Sequence, residues 1–150
     1  MKESMFAPVL IVEDEEDHAR IIIRALAENG KMMNEIIHLT NGEEAVNFLM
    51  KKDKYEDHNH QNPSLILLDI KMPMMNGFEV LAVLKSDENL RKIPVVILST
   101  TSTSDDIDKA MSLGANDFII KPVKFTEFIE KVSKLGFYWG LVSDAKKISG

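Results

Sequence analysis

Three carboxylates, a hydroxyl and an ammonium stand at matching points of this sequence, each at the end of a short apolar run. Glu13 and Asp14 follow Val9-Leu10-Ile11-Val12, and Asp69 follows Leu65-Ile66-Leu67-Leu68. Ser99 follows Val95-Val96-Ile97-Leu98, while Lys121, with Pro122 behind it, follows Phe118-Ile119-Ile120. If the runs are strands pointing one way, these groups converge on a single rim. Carboxylates that close repel one another, at about 4 kcal/mol per pair for a ~4 Å separation and an effective dielectric near 20. A divalent cation relieves the repulsion, and an all-oxygen site suits Mg²⁺, which takes one or two carboxylates plus phosphate oxygens. Ser99 and Lys121 could then bind the remaining phosphoryl oxygens. Metal plus positioned donors is the requirement of phosphoryl transfer, where catalysis is mostly positioning and charge neutralisation.

The elements that must position these groups are legible as an alternation. The runs named above are continuous rather than alternating, which suits strands buried on both faces in a parallel sheet. A further run, Ile36-Ile37 followed by His38 and Leu39, is shorter and more mixed. Helix-period segments lie between: Ile22, Ala25 and Leu26, ending at Asn29-Gly30; Ala45, Phe48 and Leu49; Val80, Leu81 and Leu84, opened by Gly77; Ile107, Ala110 and Met111, stopped by Gly114; and Phe125, Phe128, Ile129 and Val132. Asn41 with Glu44 three residues on is the pattern of a helix N-terminus with a capping partner. Five βα units argue for α/β layering with right-handed crossovers, helices on both faces, and ligands beyond the carboxyl ends of the strands. Strand order is not contained in this pattern. The polar stretch 51–62 has no periodicity and is expected to be a helix end plus an exposed loop.

Length and composition set the outer bounds. With 150 residues, 45% of them apolar and 28% charged, the chain fits one soluble domain with a sizeable core. Eighteen basic against 24 acidic residues give a net charge of −6, which offers no basic face for nucleic acid. The absence of cysteine excludes thiol catalysis, disulfides and thiolate metal sites. No signal peptide or membrane span is apparent, so a cytoplasmic location is expected.

Four motifs, in this order and spacing, resemble the receiver domain of bacterial two-component response regulators: LIVED (10–14), LILLDIKMPMMNG (65–77), PVVILST (94–100) and NDFIIKP (116–122). The resemblance runs from Val9 to Trp139. It implies a flavodoxin-like (βα)5 doubly wound parallel sheet of order 2-1-3-4-5 and a Mg²⁺-dependent aspartyl-phosphate at Asp69. Asp14 would hold the Mg²⁺ directly, Glu13 through water, with Asp69 and the backbone carbonyl of Lys71 as further ligands. Lys121 would contact the phosphoryl group, and Pro122 would follow a cis peptide that aims it. Pro73 and Gly77 shape the loop after Asp69. Ser99 and Phe118 form the switch pair, Phe118 swinging inward as Ser99 moves toward the phosphoryl oxygens. The family commonly has Thr at the place of Ser99 and a small residue at the place of Thr100, which here stands to crowd the path of Phe118.

The implied protein is a single-domain response regulator, with an extension over 1–7, a receiver over 8–139 and a tail over 140–150. It takes its phosphoryl group from a sensor histidine kinase, catalyses only its own phosphorylation and dephosphorylation, and signals to a downstream protein by a changed surface. A narrower resemblance rests on the polar insert before Leu65, the stretch 84–107 and the ending Phe137-Tyr138-Trp139. These look like small regulators paired with bacterial phytochromes, and imply a phytochrome-type kinase and a homodimer.

Other readings are weaker. Phosphatases that also use a strand-end Asp want a general acid two positions later, and here that position is Lys71. A docking module indifferent to phosphorylation would usually lack the acidic pair or the lysine. No G-x-G-x-x-G follows the first run, against dinucleotide binding. His58 and His60 fit a solvated loop better than a metal site. His18 and His38 show no partner spacing for catalysis. Met72, Met74 and Met75 are expected to pack under the loop after Asp69.

Overall fold

Apolar runs of four or five residues form the strands β1 (Val9–Val12), β2 (Ile36–Leu39), β3 (Leu65–Asp69), β4 (Val95–Ser99) and β5 (Asp117–Ile120). The computed structural model describes residues 7–29, 34–57, 61–100, 103–124, 126–127 and 130. All five strands lie in one sheet of order β2-β1-β3-β4-β5, with every pair parallel. The continuously apolar β1, β3 and β4 are central and buried along their whole length, whereas β2 and β5 are edges and only partly buried. This is the flavodoxin-like architecture the motifs imply.

Helices α1 (Glu16–Ile23), α2 (Gly42–Met50), α3 (Gly77–Ser86) and α4 (Ser104–Ser112) alternate with the strands. Alternate strand residues serve opposite faces. Leu10, Leu68 and Ile97 join Leu49, Leu81 and Ala110 in one apolar layer. Ile11, Leu67 and Leu98 join Ile22 and Leu26 in the other. Among the described residues, seven of the eleven largest fully buried side chains stand on β1, β3 and β4. At roughly 1.5–3 kcal/mol for each fully buried Leu or Ile, the strands that carry the acidic residues are firmly held by the core.

Local chemistry sets the helix ends. Asn41 accepts the Glu44 N–H at 2.7 Å, as its spacing suggests. The Glu44 carboxylate, however, turns to the Tyr55 hydroxyl at 2.8 Å and Lys54 at 3.4 Å instead of returning to the cap. The reciprocal capping box is found at Asn76 and Glu79, which opens α3. Gly114, at φ +105, follows α4 where a left-handed residue is needed.

Three expectations need correction. After α1 the chain widens into a π-helix over Arg24–Asn29, within which Ala25 and Leu26 stay buried. The stretch after α2 is not simply an exposed loop: Asp53–Tyr55 form a 3-10 turn, and Tyr55 is buried edge-on against Phe48 with ring centroids 5.2 Å apart. One aromatic residue amid polar neighbours carries no period, so the pattern hid it. Met72 is buried and Met75 half-buried, but Met74 is 92% exposed. Met74 has φ +69 at the centre of a tight turn, in which the Met75 N–H donates to the Pro73 carbonyl at 2.8 Å, and this turns its side chain outward. Phe125, Phe128, Ile129 and Val132 of the expected last helix, the aromatic ending at 137–139, and His58 and His60 lie outside the described residues. Among the described residues, no helix is long and apolar enough to cross a membrane.

Candidate functional site

Sheet register assembles the site. Val12 lies beside Leu68, Asp69 beside Leu98 and Ser99 beside Ile120. One residue further along, Glu13 comes next to Asp69. Lys121 comes next to Ser99, whose carbonyl accepts the Lys121 N–H at 2.7 Å. Glu13, Asp69 and Ser99 are buried, and Asp14 is half-buried. Carboxylate oxygens of Glu13, Asp14 and Asp69 all lie within 4.8 Å of one another.

The ammonium of Lys121, whose side chain is only 7% exposed, is ion-paired with Glu13 Oε1 and stands 3.2 Å from Asp69 Oδ1. One ammonium among three carboxylates leaves the cluster strongly acidic. Burial, and then the charge of Glu13, push the Asp69 carboxyl up to about 6 from 3.8, against the lowering influence of Lys121. Glu13 is further fixed by the Glu15 N–H, which donates to its Oε2 at 3.1 Å, and by its carbonyl, which accepts from His38 Nε2 at 2.8 Å.

Asp14 Oδ1 is buried with no hydrogen-bond partner. A buried acceptor left unsatisfied costs on the order of 1–3 kcal/mol, and more when charged. With two further carboxylates beside it, this oxygen is what a hard divalent cation would satisfy. The residues fit such an ion.

The loop after Asp69 is held by Gly77, whose N–H donates to the Ile70 carbonyl at 2.8 Å. A Cβ at Gly77 would come within 2.3 Å of the Asp69 carbonyl oxygen, so only glycine lets α3 start this close to the aspartate. Lys71 and Pro73 are exposed on that loop and line a cavity of about 500 Å³ with Asn76, Phe78 and Asp106. The Lys121-Pro122 peptide is cis. Phe118 is already buried at 7% exposure, in the layer shared with α2, α3 and α4. Thr100 lines a cavity with His18, Ile21 and Ile22 of α1.

A family model for the response regulator receiver domain matches residues 9–133. The chain belongs to the response-regulator receiver family. Among curated relatives, this receiver is 36% identical to the probable methanogenesis regulatory protein FilR2 of Methanothrix harundinacea, over 87% of this chain and 82% of that one. It is 33% identical to response regulator Rcp1 of Synechocystis sp., over 87% of each. Of solved structures, the bacteriophytochrome response regulator RtBRR matches with a TM-score of 0.83 and 35% identity, covering 97% of this chain and 87% of that one. Phosphorylated cyanobacterial phytochrome response regulator RcpA matches at 0.73 and 35% identity, and the Mn²⁺-bound form of Rcp1 at 0.72 and 32%, each covering 89% of this chain and 94% of the other.

The structure brings together every acidic and basic residue expected of this receiver's site. It adds one that the sequence did not suggest. His18, on α1, places Nδ1 3.0 Å from Lys121 Nζ and 3.3 Å from Glu15 Oε2. The only hint in the sequence is its position in the helix that directly follows the acidic pair.

Proposed function

We propose that this receiver accepts a phosphoryl group on Asp69 from a sensor histidine kinase, in a Mg²⁺-dependent reaction, and signals through the resulting change of surface. The observation that carries the reading is the buried Asp69 carboxylate, 3.2 Å from a buried ammonium and beside two further acids, one with an unsatisfied oxygen. Glu13, Asp14 and Asp69, with the Lys71 carbonyl, would hold the ion. What Mg²⁺ supplies there is neutralisation of the acids and of charge on the phosphoryl oxygens. An Asp69 carboxylate oxygen forms the new P–O bond as the P–N bond of the kinase phosphohistidine breaks. The electron pair leaves with the imidazole nitrogen, which takes up a proton. Lys121 and Ser99 offer donors to the equatorial oxygens, so the chain positions the group and neutralises its charge.

The acyl phosphate is then lost to water, so the protein acts once per phosphoryl group and is not a turnover enzyme. Ser99 and Phe118 would pass the change to the face bearing α4. Phe118 is already buried, so the response would involve repacking around it more than a large inward swing. The likeness to bacteriophytochrome and phytochrome response regulators supports a phytochrome-type kinase as donor. A receiver over 8–139, a cytoplasmic setting, a homodimer and a downstream protein target belong to the same reading.

Radiolabelled acetyl phosphate with Mg²⁺ tests it. Wild type should take up label, with none on Asp69→Ala and little after Mg²⁺ is chelated. Equal label on wild type and Asp69→Ala would reject the assignment.

A further inference from the structure

Lys121 has three N–H donors, and three acceptors surround them: Glu13 Oε1, Asp69 Oδ1 at 3.2 Å and His18 Nδ1 at 3.0 Å. We propose that His18 is a positioning residue for this lysine. Its lone pair takes one N–H and Glu13 takes a second, so that the third is aimed at Asp69 and at the phosphoryl group built there. The inference rests on the phosphoacceptor reading of Asp69.

Chemistry fixes the state of the ring. An ammonium only donates, so Nδ1 must be the acceptor and the proton of a neutral imidazole must sit on Nε2. Glu15 Oε2 at 3.3 Å and Glu13 Oε1 at 3.9 Å face the same nitrogen, but neither can accept from it while Lys121 donates to it. Burial decides between the partners. The Lys121 side chain is 7% exposed and Glu15 is 62% exposed. An exposed carboxylate is well solvated without the histidine, whereas the third N–H of a buried ammonium already paired with Glu13 and Asp69 would have no water to donate to in place of the ring.

The His18 side chain is 31% exposed and lines, with Lys121, Ile22, Pro122 and Val123, a cleft of about 210 Å³. A donor held in place before the reaction needs no reorganisation when charge develops on the phosphoryl oxygens, which is where fixed donors act most strongly.

The test uses the full chain with saturating Mg²⁺ and acetyl phosphate. His18→Ala should slow labelling roughly two- to tenfold, the loss expected for one hydrogen bond. His18→Leu, which keeps side-chain bulk without an acceptor, should match it, and either variant suffices if the other fails to fold. His18→Asn, whose amide oxygen can reach the place of Nδ1, should recover most of the rate. A purely packing role predicts the opposite order, Leu restored and Asn impaired. Wild-type labelling rates in both apolar variants, or no recovery in His18→Asn, would overturn the inference while leaving the Asp69 reading intact. No label on wild type would end both.

Discussion

As the proposed phosphoacceptor, Asp69 would combine two conflicting demands, burial among acids and enough ionisation to attack phosphorus. Its carboxyl titrates at about 6 in the folded protein, against 3.8 for a free side chain, because burial and then Glu13 disfavour the charge more than Lys121 favours it. Between these two values the folded state holds the proton more tightly than the unfolded chain. This group's contribution to stability is therefore complete below about pH 4 and is lost as pH rises through about 6. Its removal should help: metal-free Asp69→Asn should be more stable than wild type at pH 7 by about 1–3 kcal/mol. It should also lose much of the pH slope between 4 and 6. Urea denaturation in chelator at several pH values measures both, and an unchanged slope would show that the burden lies elsewhere. Legibility at this scale follows from the same positions. Glu13, Asp14, Asp69, Ser99 and Lys121 could be read because each ends an apolar run. His18 could not, because its partner lies 103 residues away and nothing in helical spacing encodes a contact across the sheet.

Among the elements, α3 is tied most closely to the chemistry, since its first residue packs on the aspartate backbone. A methyl group at Gly77 would meet the Asp69 carbonyl oxygen at 2.3 Å and the Ile70 Cα at 2.9 Å, and both are backbone atoms that cannot rotate aside. Gly77→Ala should therefore cost about 1–3 kcal/mol, the usual range for overpacking. Phosphorylation should slow as well, because the displaced atom belongs to the proposed acceptor residue. Denaturation and labelling of one preparation check the two effects together. Normal labelling in a destabilised variant would show that α3 can move without carrying Asp69. The start of this helix was visible in the sequence, as were the central strands and the Gly114 stop. The 3-10 turn at Tyr55 was not, because a tertiary contact with Phe48 and a hydrogen bond to Glu44 hold it, and neither has a local signature. The π-helix after α1 was hidden for a similar reason, since its apolar residues keep the spacing of an ordinary helix.

For the molecule as a whole, the sheet order brings ends of strands distant in sequence to one rim: Glu13 and Lys121 are separated by 108 positions yet ion-paired. The apolar runs disclosed that strands exist and are covered on both faces. Their order came only with the family motifs, because periodicity describes an element and not its neighbours. The price of this convergence is a cluster of three carboxylates around Lys121, built on the ends of buried central strands. Folding without a divalent ion must therefore bear repulsion that folding with one does not. A Mg²⁺ ion held by the assembled rim, and not by the unfolded chain, in which Asp69 is far from the Glu13-Asp14 pair, should stabilise by RT ln(1 + [Mg²⁺]/Kd). At ten times Kd this is about 1.4 kcal/mol, or a Tm higher by roughly 3–6 °C for a chain of this size. The rise should saturate with Mg²⁺, and Na⁺ at matched ionic strength should not reproduce it, because general screening acts on all surface charges alike. Asp14→Asn should abolish it, since the unsatisfied oxygen is then an amide group. A Tm indifferent to Mg²⁺ in wild type, or an equal rise in Asp14→Asn, would mean that the acids meet for some purpose other than holding a cation.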